Sequence, residues 1–344
     1  SDSIAPKILW IKNNEPEVYA KTAKFITGQC FIAARLTGNY KVDHFIAKSS
    51  YAPIYNADGS VNEELCSLFC RPDQVAECVY STDIVGTVTE QASKETGLAV
   101  GTPVIAGTGD STAESISGGL TEPGNLLMQF GSTMFFYYCI DHPVSGNSKV
   151  GAGHVFTIPG TYCLGGGTNA AGTLTRWIRD VYYAHEVAKE KEGGENAYSI
   201  MARDAAEIPA GSDGLVMLPY ILGERSPLYD PLAKGVLFGL NGTHTRKHIN
   251  RAALEAVGYS VKQHLEIFKS LGLVPNSITI AGGGTKHKTW MQIVADITGF
   301  PITVSEPWQS SSYGDAMMAA IGEGTLKDFR ALKAAMPKCQ TLQP

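Results

Sequence analysis

Apolar residues recur at helical spacing over residues 15–36 (EPEVYAKTAKFITGQCFIAARL), and Thr37-Gly38 supplies a stop. A second helical stretch covers about 62–70, Asp73-Gln74-Val75 opens a short loop, and 90–97 form another helix closed by Gly97. VGTPVIAGTGD at 100–110 predicts a short apolar strand with glycines behind it. From there the period shortens. NLLMQF and MFFYYCI predict two strands joined by a tight Gly131-Ser132-Thr133 turn, and GHVFTI and TYCLGGG a second pair around Pro159-Gly160. Asn169 is expected to cap the helix NAAGTLTRWIRDVYYA. A polar stretch at 186–198 follows, then another helix, the strand LVMLPYI and a long helix over roughly 248–271. The strand SITIA before Gly282-Gly283-Gly284, a helix, the strand FPITVSE and a helix near 314–322 complete the pattern.

Two strand pairs followed by alternating helices and strands predict a mixed-sheet α/β lobe. A boundary is expected near 118–124, where Gly118-Gly119 and Pro123-Gly124 punctuate the chain, giving units 1–118 and 119–344. A length of 344 residues accommodates both.

Charge narrows the partners. The net charge of −5 gives no electrostatic reason to expect nucleic acid or an anionic membrane. No apolar run reaches bilayer length, and the seven scattered cysteines lack CxxC pairs, which points to a reducing, cytoplasmic setting. Cys66 and Cys70 share a helix face, but the partner ligands of a zinc site are absent, so packing accounts for them and no metal site is expected there.

The candidate chemistry begins at AGTGDSTAESISGG, 106–119. Ser111 and Glu114 have capping-box spacing, which alone would justify these residue types. The same geometry suits Asp110 to accept a proton from a substrate hydroxyl. Gly131-Ser132-Thr133 is ordinary hairpin material, yet such a turn also lets backbone N–H groups approach phosphate oxygens. Gly282-Gly283-Gly284, between a strand and a helix, permits either tight strand–helix packing or close approach of a ligand. Gly172 and Arg176 lie one turn apart on a helix face. There is no GxxxxGK[ST], no G-x-S-x-G and no HExxH. A dinucleotide oxidoreductase using the 282–284 glycines is a weaker alternative, since no G-x-G-x-x-G follows an early strand.

Taken together and in order, these segments resemble the FGGY family of carbohydrate kinases, most closely its xylulokinase-like members. PKILWIKNNEPEVYAKTAKFI and ARLTGNYKVDHFIAKSS look like the second half of that family's first domain, and GTPVIAGTGDSTA like the segment with its catalytic Asp. QFGSTMF, GERSPLYDPLAKGVLFGL and AGGGTKHKTWMQIVADITGFPITV match its second domain. The resemblance implies ribonuclease H-like lobes of the actin/hexokinase kind, with the first lobe incomplete. It implies ATP and Mg²⁺, and a small sugar substrate such as D-xylulose, another ketose or polyol, or gluconate. Asp110 would be the general base, with Ser111 beside the substrate. Gly131, Ser132 and Thr133 would hold phosphate, Gly172 and Arg176 would flank the nucleotide, and Gly283 and His287 would lie at the adenosine motif. His287 stands where the family usually has Ser or Asn, and Ser111-Thr112 follow Asp110 where xylulokinases usually have Asn. The family's opening segment has no counterpart, so this chain is expected to be a fragment, inactive or nearly so alone. A non-catalytic nucleotide- or sugar-binding sensor is the alternative, and a homodimer the default assembly.

Overall fold

The computed structural model describes residues 3–144, 150, 153–306, 310–336 and 338–344. Its N-terminal unit opens with helices α1 (Ala5–Asn14), α2 (Pro16–Lys21) and α3 (Gly28–Thr37). The single helix expected over 15–36 is thus two, parted at 22–27. Phe25 N–H donates to Gln74 O at 2.7 Å, and Lys24 Nζ donates to the carbonyls of Asp73 and Val75. A tertiary bond to a distant loop overrides the local period there. Gly38, at φ 82°, ends α3 as expected, and Gly97 does the same for a later helix at φ 79°.

Strand β1 (Lys41–Asp43) leads into α4 (His44–Ser49) and α5 (Glu63–Ser67), the latter shorter than its apolar spacing suggests. Strand β2 (Glu77–Val79) pairs parallel to β1. Strand β3 (Ile84–Thr87) pairs antiparallel, across α6 (Glu90–Thr96), with β4 (Pro103–Ile105). Cys66 and Cys70 are buried free thiols with sulfurs 3.7 Å apart. Helix α7 (Asp110–Ser117) follows β4 after a turn at 106–109.

The second unit is built on β5 (Asn125–Phe130), β6 (Met134–Ile140), β7 (His154–Val155) and β8 (Tyr162–Thr168), all antiparallel to their neighbours among these four. Helices α8 (Gly172–Tyr182), α9 (Ala184–Lys191) and α10 (Ala197–Glu207) come next, so the polar stretch at 186–198 holds a helix. A side hairpin pairs β9 (Val216–Leu218) with β10 (Val236–Phe238). The long helix α11 (Arg246–Ser270), β11 (Ser277–Ala281), α12 (Lys288–Thr298) and β12 (Ile302–Val304) follow. The chain continues through α13 (Ser311–Gly322), α14 (Phe329–Ala335) and β13 (Gln340–Leu342), the last two with no counterpart in the expected pattern.

Seven strands form one mixed sheet, in the order β13-β12-β11-β5-β6-β8-β7. Side chains of β5 alternate between its faces. Leu126, Met128 and Phe130 join the core under α8, α11 and α12, while Leu127 joins Ala113 and Ile116 of α7 and Met317 and Met318 of α13. The helix that begins with Asp110 therefore packs on the sheet whose β5–β6 turn carries the hydroxyl residues. Helices α7 and α13 touch backbone to backbone: a Cβ added at Gly314 would lie 1.9 Å from Ala113 O.

Candidate active site

The Gly131-Ser132-Thr133 turn is clamped by the start of α8. Gly131 O accepts from Gly172 N–H at 2.9 Å, and Ser132 O accepts from the N–H groups of Ala171 and Thr173 at 3.1 and 2.9 Å. The orphan amides of this helix terminus are thus satisfied by the turn. Asn169 does not cap α8. The N-cap is Ala171, without a side-chain bond, and Asn169 Nδ2 instead donates to Leu222 O while its N–H donates to Glu224 Oε1. Burial raises the Glu224 carboxyl above its ordinary range. Ser226, two residues on, accepts from Gly167 N–H at 2.7 Å, so this segment pins the end of β8.

Gly172 has no room for a side chain, because a Cβ there would sit 2.5 Å from Gly131 O. Gly172→Ala is accordingly expected to push the turn and helix apart. A loss of roughly 1–3 kcal/mol of stability is expected, by urea unfolding.

The glycine run after β11 divides its labour. Gly282 lies at φ 92° against Phe130 O, and a Cβ at Gly284 would come within 2.7 Å of Phe130 Cβ, so these two permit tight packing. Gly283 faces open space. Packing accounts for Gly282 and Gly284, and Gly283 leaves room beside them.

His287 caps α12 by accepting the Trp290 N–H at Nδ1, 3.1 Å away. That bond leaves the proton on Nε2, and burial pushes the ring pKa below its usual value. The buried Nε2 has no partner among the described residues. A histidine can therefore stand where the resemblance expects Ser or Asn, because all three can accept the same helix amide. His287→Asn should keep the cap, whereas His287→Ala should cost about 1 kcal/mol by thermal unfolding.

These segments converge on one cavity of about 600 Å³. Gly131, Ser132, Gly172, Arg176, Gly283 and His287 all line it. Arg176 is exposed at the cavity, and Phe130 and Trp290, edge to face with centroids 5.1 Å apart, form apolar wall. Thr133, Asp110 and Ser111 do not line it. The sequence reading missed Asn196, Tyr198, Ser199 and Lys286 on the same wall. Asn196 caps α10 by accepting the Ser199 N–H, a cap spacing that lay legible inside the polar stretch.

Asp110 is exposed at the first residue of α7, behind an N-cap at Gly109. The expected capping box does not form. Asp110 Oδ1 accepts the Ser111 N–H at 2.7 Å, and the Ser111 hydroxyl bonds the Tyr137 hydroxyl at 3.1 Å, tying α7 to β6. Burial raises the Glu114 carboxyl one turn further on, with the Asp110 charge adding to it. Two carboxylates thus share a helix face, only the first of them exposed.

The model for the C-terminal domain of the FGGY family of carbohydrate kinases matches residues 126–323, and the model for the N-terminal domain matches 3–117. The chain belongs to this family. It is 29% identical to a xylulose kinase of Bacillus subtilis over 98% of this chain and 67% of that protein. It is 27% identical to a gluconokinase of the same organism, over 95% and 64%. A solved xylulose kinase from Rhodospirillum rubrum superposes with a TM-score of 0.87 at 31% identity, over 99% of this chain and 67% of that one. The chain spans about two thirds of the length of these relatives. The fold is that of the actin/hexokinase-like sugar kinases, as expected from the resemblance. No helix among the described residues is long and apolar enough to cross a membrane.

Proposed function

We propose that the protein transfers a phosphoryl group from ATP to a hydroxyl of a small sugar, a ketose such as D-xylulose or a related polyol or aldonate. One observation carries this reading: three separate glycine-bearing segments meet on one cavity, above the sheet on which the Asp110 helix packs. The relatives named as xylulose kinases and gluconokinases support the substrate class.

In this reading residues 1–118 belong to the sugar lobe and 119–344 to the nucleotide lobe. The nucleotide lies in the cavity, with Arg176 toward its charge and Gly283 and His287 toward its nucleoside. The Gly131-Ser132-Thr133 turn receives the phosphates. Asp110 takes the proton from the attacking sugar hydroxyl, and Ser111, held by Tyr137, flanks the substrate. Phosphoryl transfer is chiefly positioning and charge stabilisation, which this arrangement of backbone and dipole suits.

Magnesium fits the site as an ion carried by the nucleotide. No group of three His, Cys, Asp or Glu that could cage a metal occurs among the described residues, and magnesium usually takes one or two carboxylates with phosphate and water. Asp110 is kept for the proton, so the ion would be held through the nucleotide's phosphates and water. When bound, the ion offsets phosphate charge.

ADP release by the natural full-length protein, across ketoses, polyols and aldonates, tests the proposal. Release that depends on one of them supports it. ATP binding with no sugar-dependent release would mean the fold serves binding alone.

A further inference from the structure

The turn that presents Asp110 rests on the N-terminus of α4. Thr108 Oγ1 donates to Asp43 Oδ2 at 3.0 Å, and a Cβ added at Gly109 would lie 3.3 Å from Ile46 Cδ1. On either side, Gly107 N–H donates to Ser81 O at 2.9 Å and Ser111 bonds Tyr137. The same end of α4 carries Phe45, which meets Tyr137 and Phe156 of the second unit edge-on at 6.3 and 5.9 Å. One helix terminus therefore contacts both the turn before Asp110 and the sheet that carries the nucleotide cavity.

Capping does not account for a carboxyl at position 43. Its Oδ2 also accepts the N–H groups of Phe45 and Ile46, at 3.1 and 3.4 Å, which Asn, Ser or Thr would do as well. The other side-chain caps at Asn62, Thr89, Asn196, Thr245, His287 and Asp328 are half-buried or exposed. Asp43 is only 1% exposed, and its Oδ1 is buried with no partner among the described residues. Burying a carboxyl in this way is costly, so the group is expected to have a second task.

We propose that Asp43 is a positioning residue for Asp110, fixing through Thr108 the height and direction of the turn from which the base projects. The proposal rests on the phosphotransfer reading above. Asp43 touches neither substrate nor nucleotide in this scheme. It acts 65 residues away in sequence from the hydroxyl it holds.

Two variants at the other end of the bond test it in the full-length protein. Thr108→Val keeps the shape and removes the donor, while Thr108→Ser keeps the donor. Small misplacements of a reacting group are costly, so Thr108→Val should lower kcat at least about tenfold and leave the ATP dissociation constant within about twofold. Thr108→Ser should return kcat to within about threefold of the wild type, the hydroxyl being the part that matters. Hydrogen exchange gives a readout independent of turnover. The amides of Thr112 and Ala113, which bond Gly109 O at 3.1 and 3.0 Å, should exchange faster in Thr108→Val. A wild-type kcat in Thr108→Val, or equal loss of kcat and ATP affinity that Ser does not rescue, would overturn the proposal. If the wild-type protein released no ADP with any sugar, the phosphotransfer reading would fall. Exchange at Thr112 and Ala113 would then still report on the Thr108 tether, and unchanged exchange would remove it too.

Discussion

Asp110→Asn is expected to lower sugar-dependent ADP release by at least about a thousandfold while leaving the fold and ATP binding intact. The change removes proton affinity and keeps shape. Asn Oδ1 can still accept the Ser111 N–H that the carboxylate accepts at 2.7 Å, and the exposed position at the start of α7 imposes no packing penalty. The cavity proposed for the nucleotide is lined by other residues, so ATP affinity should move little. The measurement is kcat by coupled ADP detection beside ATP affinity by calorimetry. Full activity in the variant would remove Asp110 from the chemistry. Loss of activity and affinity together would make it a structural residue.

The second large effect is a pH dependence of stability. Burial pushes the Asp43 carboxyl up to about 7, although the Thr108 hydroxyl and the Phe45 and Ile46 amides pull the other way. In the unfolded chain an aspartate titrates near 4. Between those values the folded state holds a proton that the unfolded state has released. Stability from this group is therefore fully present below about pH 4 and is lost as pH rises to about 7, beyond which it changes no further. Three pH units correspond to roughly 4 kcal/mol. Cys78, on the strand beside β1, is a titratable neighbour of the group, and burial pushes its thiol up to about 12, outside this window. Asp43→Asn removes the titration and keeps an acceptor for the three donors. Urea unfolding of both proteins from pH 4.5 to 8 should show the variant gaining on the wild type as pH rises. Parallel curves would show that Asp43 is ionised throughout.

The glycine segments were legible because a missing Cβ is written directly in the sequence. Gly172, Gly282 and Gly284 each admit a backbone or side chain that a larger residue would strike. The paired strands around 131–133 and 159–160 were legible from alternation and turn residues. What failed depended on partners far along the chain. Residues 22–27 leave the helix for the carbonyl of Gln74, and Asn169 gives up a cap to meet Leu222 and Glu224. Asp43 drew no notice because nothing local distinguishes a buried cap from an exposed one. Its burial is set by Thr108 and the turn, 65 residues downstream. Asn196 and Tyr198 were passed over in a polar stretch, since cavity walls carry no period of their own.

The close crossing of α7 and α13 has a consequence for biosynthesis. Ala113 and Gly314 are separated by some two hundred positions, yet no side chain stands between them. Chains emerge from the ribosome N-terminus first, at about 5–20 residues per second, so Asp110 leaves the exit tunnel long before its packing partner. Its helix cannot dock fully until α13 arrives to close the far side. Non-local contacts of this span form late. Asp110 is synthesised early and seated late, and a nascent chain stalled before residue 311 would carry it without the α13 contact that seats its helix.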